Sequence, residues 1–274
     1  MADFSSHAHG TFSWPELSTT DQKAGVAFYR QLFGWDLNEQ PIGPTETYSM
    51  FQLRGKEVAA AYSMRPEERQ SGIPPHWNSY VSVKNVDESV KRARELGANV
   101  LAPPFDVMDA GRMAVLQDPT GAVFQVWQPK KHIGAKILNE PGALCWTELS
   151  TRDTDAAEKF YVQLFGWKPK HSAPGSPMPY TEFSLEGKPG VGMMPMYVAF
   201  PPPALMPAES ALAISPPDSR VSMPMITCFF CRRCASASPR AYMVAGSRGY
   251  CDALPRIPSV PNRTLIFFRC LLAR

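Results

Sequence analysis

One passage of 26 residues occurs twice in this chain. Residues 10–35 read GTFSWPELSTTDQKAGVAFYRQLFGW, and residues 142–167 read GALCWTELSTRDTDAAEKFYVQLFGW, with 15 identical positions at a shift of 132. The register then runs on without a gap through Tyr48/Tyr180, Phe51/Phe183, Leu53/Leu185, Gly55/Gly187, Lys56/Lys188 and Met64/Met196, and stops there. A repeat of this length means two copies of one folding unit, each with an apolar face to bury. The second copy breaks off half-way. The expected organisation is a disordered lead (1–9), a complete domain (10–129), a linker (130–141), a half-domain (142–196) and a non-homologous tail (197–274).

Composition changes at the same break. Residues 1–196 carry 19 Lys and Arg against 22 Asp and Glu, whereas 197–274 carry nine Arg, no Lys and three acids, with eleven prolines and five of the six cysteines. The tail has no useful apolar periodicity and is expected to be disordered. Its composition matches a GC-rich gene translated in a wrong frame, with the break near codon 197. A rival reading takes Cys228-x-x-Cys231-x-x-Cys234 as part of a zinc or iron–sulfur site, although Cys251 is poorly spaced as a fourth ligand. A half-domain without its second half exposes a sheet edge, which invites a homodimer through that edge. The weakly acidic body excludes an electrostatic footprint for nucleic acid. No secretory signal and no membrane-length apolar run is visible, and one body cysteine, Cys145, suits the cytoplasm.

Within the first copy, Phe12–Ser18 alternates as a strand, and Asp21–Phe33 carries Ala24, Ala27, Phe28 and Leu32 at helical spacing. Thr20 or Asp21 is placed to cap the helix, and Gly34 to end it in the left-handed region. Three strands follow near 35–40, 48–53 and 57–62. The same order returns as a strand at 79–83, a helix at 87–96, and strands at 99–102, 112–117 and 123–128. The loop between Ser63 and Pro75 has no readable pattern. The predicted class is α+β: paired βαβββ modules forming an open, cupped mixed sheet barrel, with the second copy incomplete.

The strings DxxxAxxFYxxLFGW, VxxVDESVxxAxxLGA and LQDPTGAVFQVWQP resemble the glyoxalase, bleomycin-resistance and extradiol-dioxygenase superfamily, the vicinal oxygen chelate proteins. The resemblance covers residues 10–129 fully and 142–196 in part. It is specific for fold and open as to reaction. It implies that metal-dependent members draw His, Glu or Gln ligands from the first and last strands of each module. Carried onto this chain, those positions are Trp14, Ala61, Asn78 and Gln125, with Trp146 and Met193 in the second copy. No histidine or carboxylate stands at any of them. The expected cofactor is therefore none, a divalent metal being disfavoured.

What remains is a pocket of different chemistry. Strand alternation puts Trp14 and Glu16 on one face, as it does Asn78 with Tyr80 and Gln125 with Trp127. Together with Tyr48, His76 and Arg112 these are the candidate ligand-binding residues, suited to a small aromatic or amphipathic organic molecule. Trp14 and Trp127 have an equally open reading as core. Glu16 recurs as Glu148; a carboxylate in an aromatic pocket has its pKa raised and can act as acid or base. The alternative role for Glu16 is to tie its strand to a backbone N–H or to Arg112. His7 and His9 fall in the lead, His132 in the linker, and His76 at the rim. The function expected is metal-free binding of a small organic ligand. The alternative is a superfamily lyase, isomerase or dioxygenase using Glu16 or a non-standard metal site.

Overall fold

The computed structural model describes residues 3–176, 179–196 and 225–230. Its first module comprises β1 (Thr11–Thr19), α1 (Gln22–Phe33), β2 (Asp36–Pro41), β3 (Thr47–Leu53) and β4 (Lys56–Ser63). A short helix α2 (Pro66–Gln70) leads to the second module: β5 (His76–Ser82), α3 (Val86–Glu95), β6 (Asn99–Val107), β7 (Gly111–Gln117) and β8 (Val123–Pro129). The eight strands form one sheet in the order β2-β3-β4-β1-β5-β8-β7-β6. The order reads the same from either end, because β1 and β5 pair antiparallel across the centre while β1/β4 and β5/β8 pair parallel. The sheet is mixed, large and not closed.

Local chemistry accounts for the boundaries. Of the two cap candidates, Asp21 accepts the Ala24 N–H at 2.9 Å, and Gly34 ends α1 at φ 70°. Asp153 and Gly166 do the same for α4 (Thr154–Phe165). Pro at the start of α2, and Glu68 accepting the Arg65 N–H at 2.7 Å, make a helix where the sequence shows no periodicity.

The second copy continues with β9 (Leu144–Thr151), α4, β10 (Lys168–His171), β11 (Thr181–Leu185) and β12 (Lys188–Pro195). Its sheet order, β10-β11-β12-β9-β13, repeats that of the first module. Strand β13 (Met225–Phe230) belongs to the tail and pairs antiparallel with β9, as β5 does with β1. The edge of β9, expected to be bare, is thus occupied by the chain's own backbone over these residues. The remainder of the tail, including Cys231, Cys234 and Cys251, lies outside the described residues.

The two copies are locked by the residues that define the repeat. Trp35 Nε1 donates to Gly142 O at 2.7 Å, and the equivalent Trp167 Nε1 donates to Gly10 O at 2.9 Å. Each copy therefore gives the other the same bond. Val81, Leu116 and Phe124 of the first copy share one core with Leu149, Phe160 and Phe183 of the second. Tyr161 of α4 donates at 2.9 Å to Asp118 Oδ2, while Asp118 Oδ1 holds its own turn through Thr120 and Ala122.

Residues 4–9 of the lead are tied down where the sequence implied a loose segment. Gly10 N–H donates to Ser82 O, Phe4 N–H to Lys136 O, and His7 Nε2 lies 2.8 Å from Ala135 O. The linker also packs: Ala135 N–H donates to Ser13 O and Lys136 N–H to Glu57 O, threading it beside the starts of β1 and β4. Among the described residues no helix is long and apolar enough to cross a membrane.

Candidate ligand-binding site

The face of the eight-stranded sheet turned away from α1 and α3 gathers most of the predicted residues around Glu16. Its carboxyl, 8% exposed, accepts from Tyr48 Oη at 2.6 Å, Tyr80 Oη at 2.8 Å and Asn78 Nδ2 at 3.4 Å. Register explains the convergence: Glu16 faces Asn78 across β1/β5, and Trp14 faces Tyr80 one pleat along. Trp14 Nε1 donates to Tyr48 Oη at 3.1 Å, completing a relay from indole to phenol to carboxylate. Burial raises the Glu16 pKa above the ordinary 4.5, against the opposing pull of its three donors. Burial, then the Glu16 charge, raises Tyr48 and Tyr80 well above 10.0, so both phenols stay protonated as donors.

A second layer fixes the amides. Asn78 Oδ1 accepts from Gln125 Nε2 at 2.9 Å and lies 3.2 Å from His76 Nε2, while Asn78 Nδ2 also donates to Tyr62 Oη at 3.3 Å. His76 Nδ1 lies 2.8 Å from Pro74 O. Tyr62, whose pKa is pushed up to about 12 chiefly by burial, escaped the sequence reading. Its place two residues after Ala60 on β4 turns it to the same face as Glu16. Gln125 is 5% exposed and its Oε1 has no partner among the described residues. Trp127 Nε1 donates to His132 O at 2.9 Å, and Gly111 lets its ring lie flat across β7, since a Cβ there would meet the indole at 2.3 Å.

Two sequence expectations are corrected. Arg112 does not reach Glu16: it donates to Asp87 at 2.8 and 2.9 Å and sits 3.6 Å from Asp106. It stands one residue from Met113, which packs in the cup with Trp14, and alternation along β7 therefore turns Arg112 toward the start of α3. The counterpart of Gln125 is Ala60, not Ala61. Tyr80 pairs with Gln125, and its equivalent Glu16 pairs with Ala60, because the connecting segments differ by one residue. Ala60 lies beside Trp14, whereas Ala61 packs under α1 with Leu17 and Val26. The same register gives Gly192 in place of Met193 in the second copy.

The corrected donor set is Trp14, Ala60, Asn78 and Gln125. An indole N–H has no lone pair to coordinate and a methyl offers nothing. The Asn78 oxygen is already engaged. Among the described residues no group of three or more His, Cys, Asp or Glu could hold a metal ion. These residues do not fit a divalent centre of the superfamily's usual kind.

The second copy repeats the relay. Trp146 Nε1 donates to Tyr180 Oη at 3.0 Å, and Tyr180 Oη to Glu148 Oε2 at 2.8 Å. Gly192 makes room for it, since a Cβ there would meet Tyr180 Oη at 1.8 Å. The carboxylate beside a phenol thus recurs in both copies, whereas Asn78, Tyr80 and Gln125 belong to the second module of the first copy.

The strand order of the two paired modules is that of a glyoxalase-type fold. Residues 11–126 match the model of the Glyoxalase/Bleomycin resistance protein/Dioxygenase superfamily, and the chain carries a domain of that superfamily. It is 44% identical over 167 residues to CFP32 of Mycobacterium bovis (strain ATCC BAA-935 / AF2122/97), a glyoxylase by its name, covering 61% of this chain and 64% of that protein. It is 34% identical over 172 residues to the anthracycline biosynthesis protein DauV of Streptomyces sp. (strain C5), covering 59% and 62%. The chain thus spans less than two thirds of these relatives. Among solved structures, a Mn(II)-bound glyoxalase from Novosphingobium aromaticivorans superposes with TM-score 0.53 at 15% identity, over 69% of this chain and 63% of that one. A single-residue variant of homoprotocatechuate 2,3-dioxygenase from B. fuscum superposes with TM-score 0.51 at 13% identity, over 71% and 56%. These two likenesses concern the fold alone.

Proposed function

We propose that the first copy is a metal-independent binding module for a small aromatic or amphipathic organic molecule, held in the cup over Glu16. One observation carries the reading: a buried carboxylate with three donors stands among Trp14, Tyr80 and Trp127, next to the unpartnered acceptor Gln125 Oε1. The indoles and phenols supply stacking area. A buried acceptor without a donor costs about 1–3 kcal/mol, so a ligand hydroxyl given to Gln125 Oε1 recovers that penalty on binding. Such a ligand therefore carries both a ring and a hydroxyl. The kinship with proteins named for glyoxylase activity and anthracycline biosynthesis supports work on small molecules without choosing a reaction.

The raised Glu16 pKa favours a second reading, in which the carboxyl moves a proton at the bound molecule. Quenching of Trp14 and Trp127 fluorescence by 2-naphthol tests binding. Saturable quenching is expected, weakened in Gln125→Leu and Glu16→Gln. Absence of saturable quenching, or equal affinity in both variants, overturns the proposal. Turnover lost in Glu16→Gln with binding retained would select the second reading.

A further inference from the structure

The N-terminal segment Asp3–His9 and the linker close over the cup described above. Phe4 packs against the cluster that joins Trp14, Tyr80, Met113 and Trp127 to Ala135 and Leu138 of the linker, so the chain itself covers the cluster assigned to a ligand. Phe4 stacks on His7 at 5.1 Å between ring centres, and its N–H donates to Lys136 O at 3.0 Å. His132 of the linker stands edge-on to Trp14 at 4.6 Å. The segment is tied at the other side by the Asp3–Lys56 ion pair and the bond from Gly10 N–H to Ser82 O.

His7 is the latch. Its Nε2 faces Ala135 O, which only accepts, so Nε2 carries the proton of the neutral ring. Among the described residues its Nδ1 is buried without a partner, and so is Nε2 of His132. Protonating His7 would put a second N–H and a charge where no acceptor stands, a costly burial. Around this spot the packed elements present His132 and Lys136 from the linker, Glu57 and Lys56 from β4, and Glu16 from β1, with Asp3 and His9 on the segment itself. Glu57 is already engaged by His132 and Lys136, which hold its carboxyl down to about 2. Asp3 is paired with Lys56 and Glu16 already accepts from Tyr48, Tyr80 and Asn78, so among the described residues no acceptor stands at His7 Nδ1.

We propose that Asp3–His9 is an acid-released strap, which competes with the ligand for the cup while His7 is neutral and lets go when it is protonated. The inference rests on the cup being the ligand site. The sign follows from burial: His7 titrates below the ordinary 6.5 in the closed form, so closure weakens as pH falls under that value. His7→Gln keeps an N–H for Ala135 O and cannot titrate.

Two readouts on the full chain test the strap. Hydrogen-exchange protection of the Phe4 amide, across about one pH unit on each side of the ordinary histidine value, follows closure directly. Protection is expected to fall on the acid side in the native protein and to stay level in His7→Gln. At neutral pH, 2-naphthol is expected to bind Phe4→Ala about tenfold more tightly, the factor for a strap closed about nine-tenths of the time. Protection indifferent to pH, or equal 2-naphthol affinity in Phe4→Ala and the native chain, overturns the proposal. If 2-naphthol binds neither protein while protection still follows His7, the latch stands and the cup assignment fails.

Discussion

Replacing Tyr80 with Phe removes one hydroxyl whose protein partner is Glu16 Oε2 at 2.8 Å. The ring keeps its edge contact with Trp127 at 6.2 Å, so packing is spared and the change reports the hydrogen bond. A bond to a charged group contributes about 1.5–3 kcal/mol, whereas a neutral pair contributes about 0.5–1.5 kcal/mol. Glu16 titrates above the ordinary 4.5, so it is charged at the alkaline end and becomes neutral as pH falls through its raised value. The cost of Tyr80→Phe should therefore lie in the upper range at alkaline pH and drop toward the lower range as pH falls through that raised value. Urea unfolding of both proteins, followed by tryptophan fluorescence and far-ultraviolet circular dichroism across that interval, gives the difference directly. A cost below about 0.5 kcal/mol at alkaline pH, or one that does not change with pH, would refute a charged Glu16 held by its phenols.

Three further outcomes follow from the same geometry. Gly111→Ala places a Cβ 2.3 Å from the Trp127 ring and should cost about 1–3 kcal/mol, with a shift in tryptophan emission; an unchanged melt and spectrum would contradict it. Trp35→Phe and Trp167→Phe each strand a buried carbonyl across the copy interface and should each cost about 1–3 kcal/mol in thermal unfolding, and an exposed-residue cost in either would break the symmetry argument. Because Glu57 is held to about 2, its contribution is present above 4.5 and is lost as pH falls toward 2; Glu57→Gln should flatten that limb of the stability curve.

Strand alternation made much of the site legible. Trp14, Glu16, Asn78, Tyr80, Gln125 and Trp127 lie on alternating strands whose period of two fixes a face, and the structure brings them together. Arg112 failed for the same reason, since an error of one residue on a strand turns a side chain to the opposite face. The Ala61 assignment failed because a constant spacing between modules ignores a one-residue difference in their connections. His132 and Phe4 were out of reach: both lie in irregular segments, whose docking depends on tertiary contacts that leave no periodic trace. The pairs Trp14/Trp146, Glu16/Glu148 and Tyr48/Tyr180 stand at the same spacing in both copies, and the bonds among them, which the sequence does not show, recur with that spacing.

Metal independence at Glu16 is the claim on which the rest depends. Calorimetric titration with 2-naphthol, on protein stripped with a chelator and on the same protein reloaded with Mn(II), addresses it most directly. The account predicts Kd values equal within about twofold, since the ring and hydroxyl contacts with Trp14, Trp127 and Gln125 need no ion. Binding that appears only after Mn(II) is restored would contradict it.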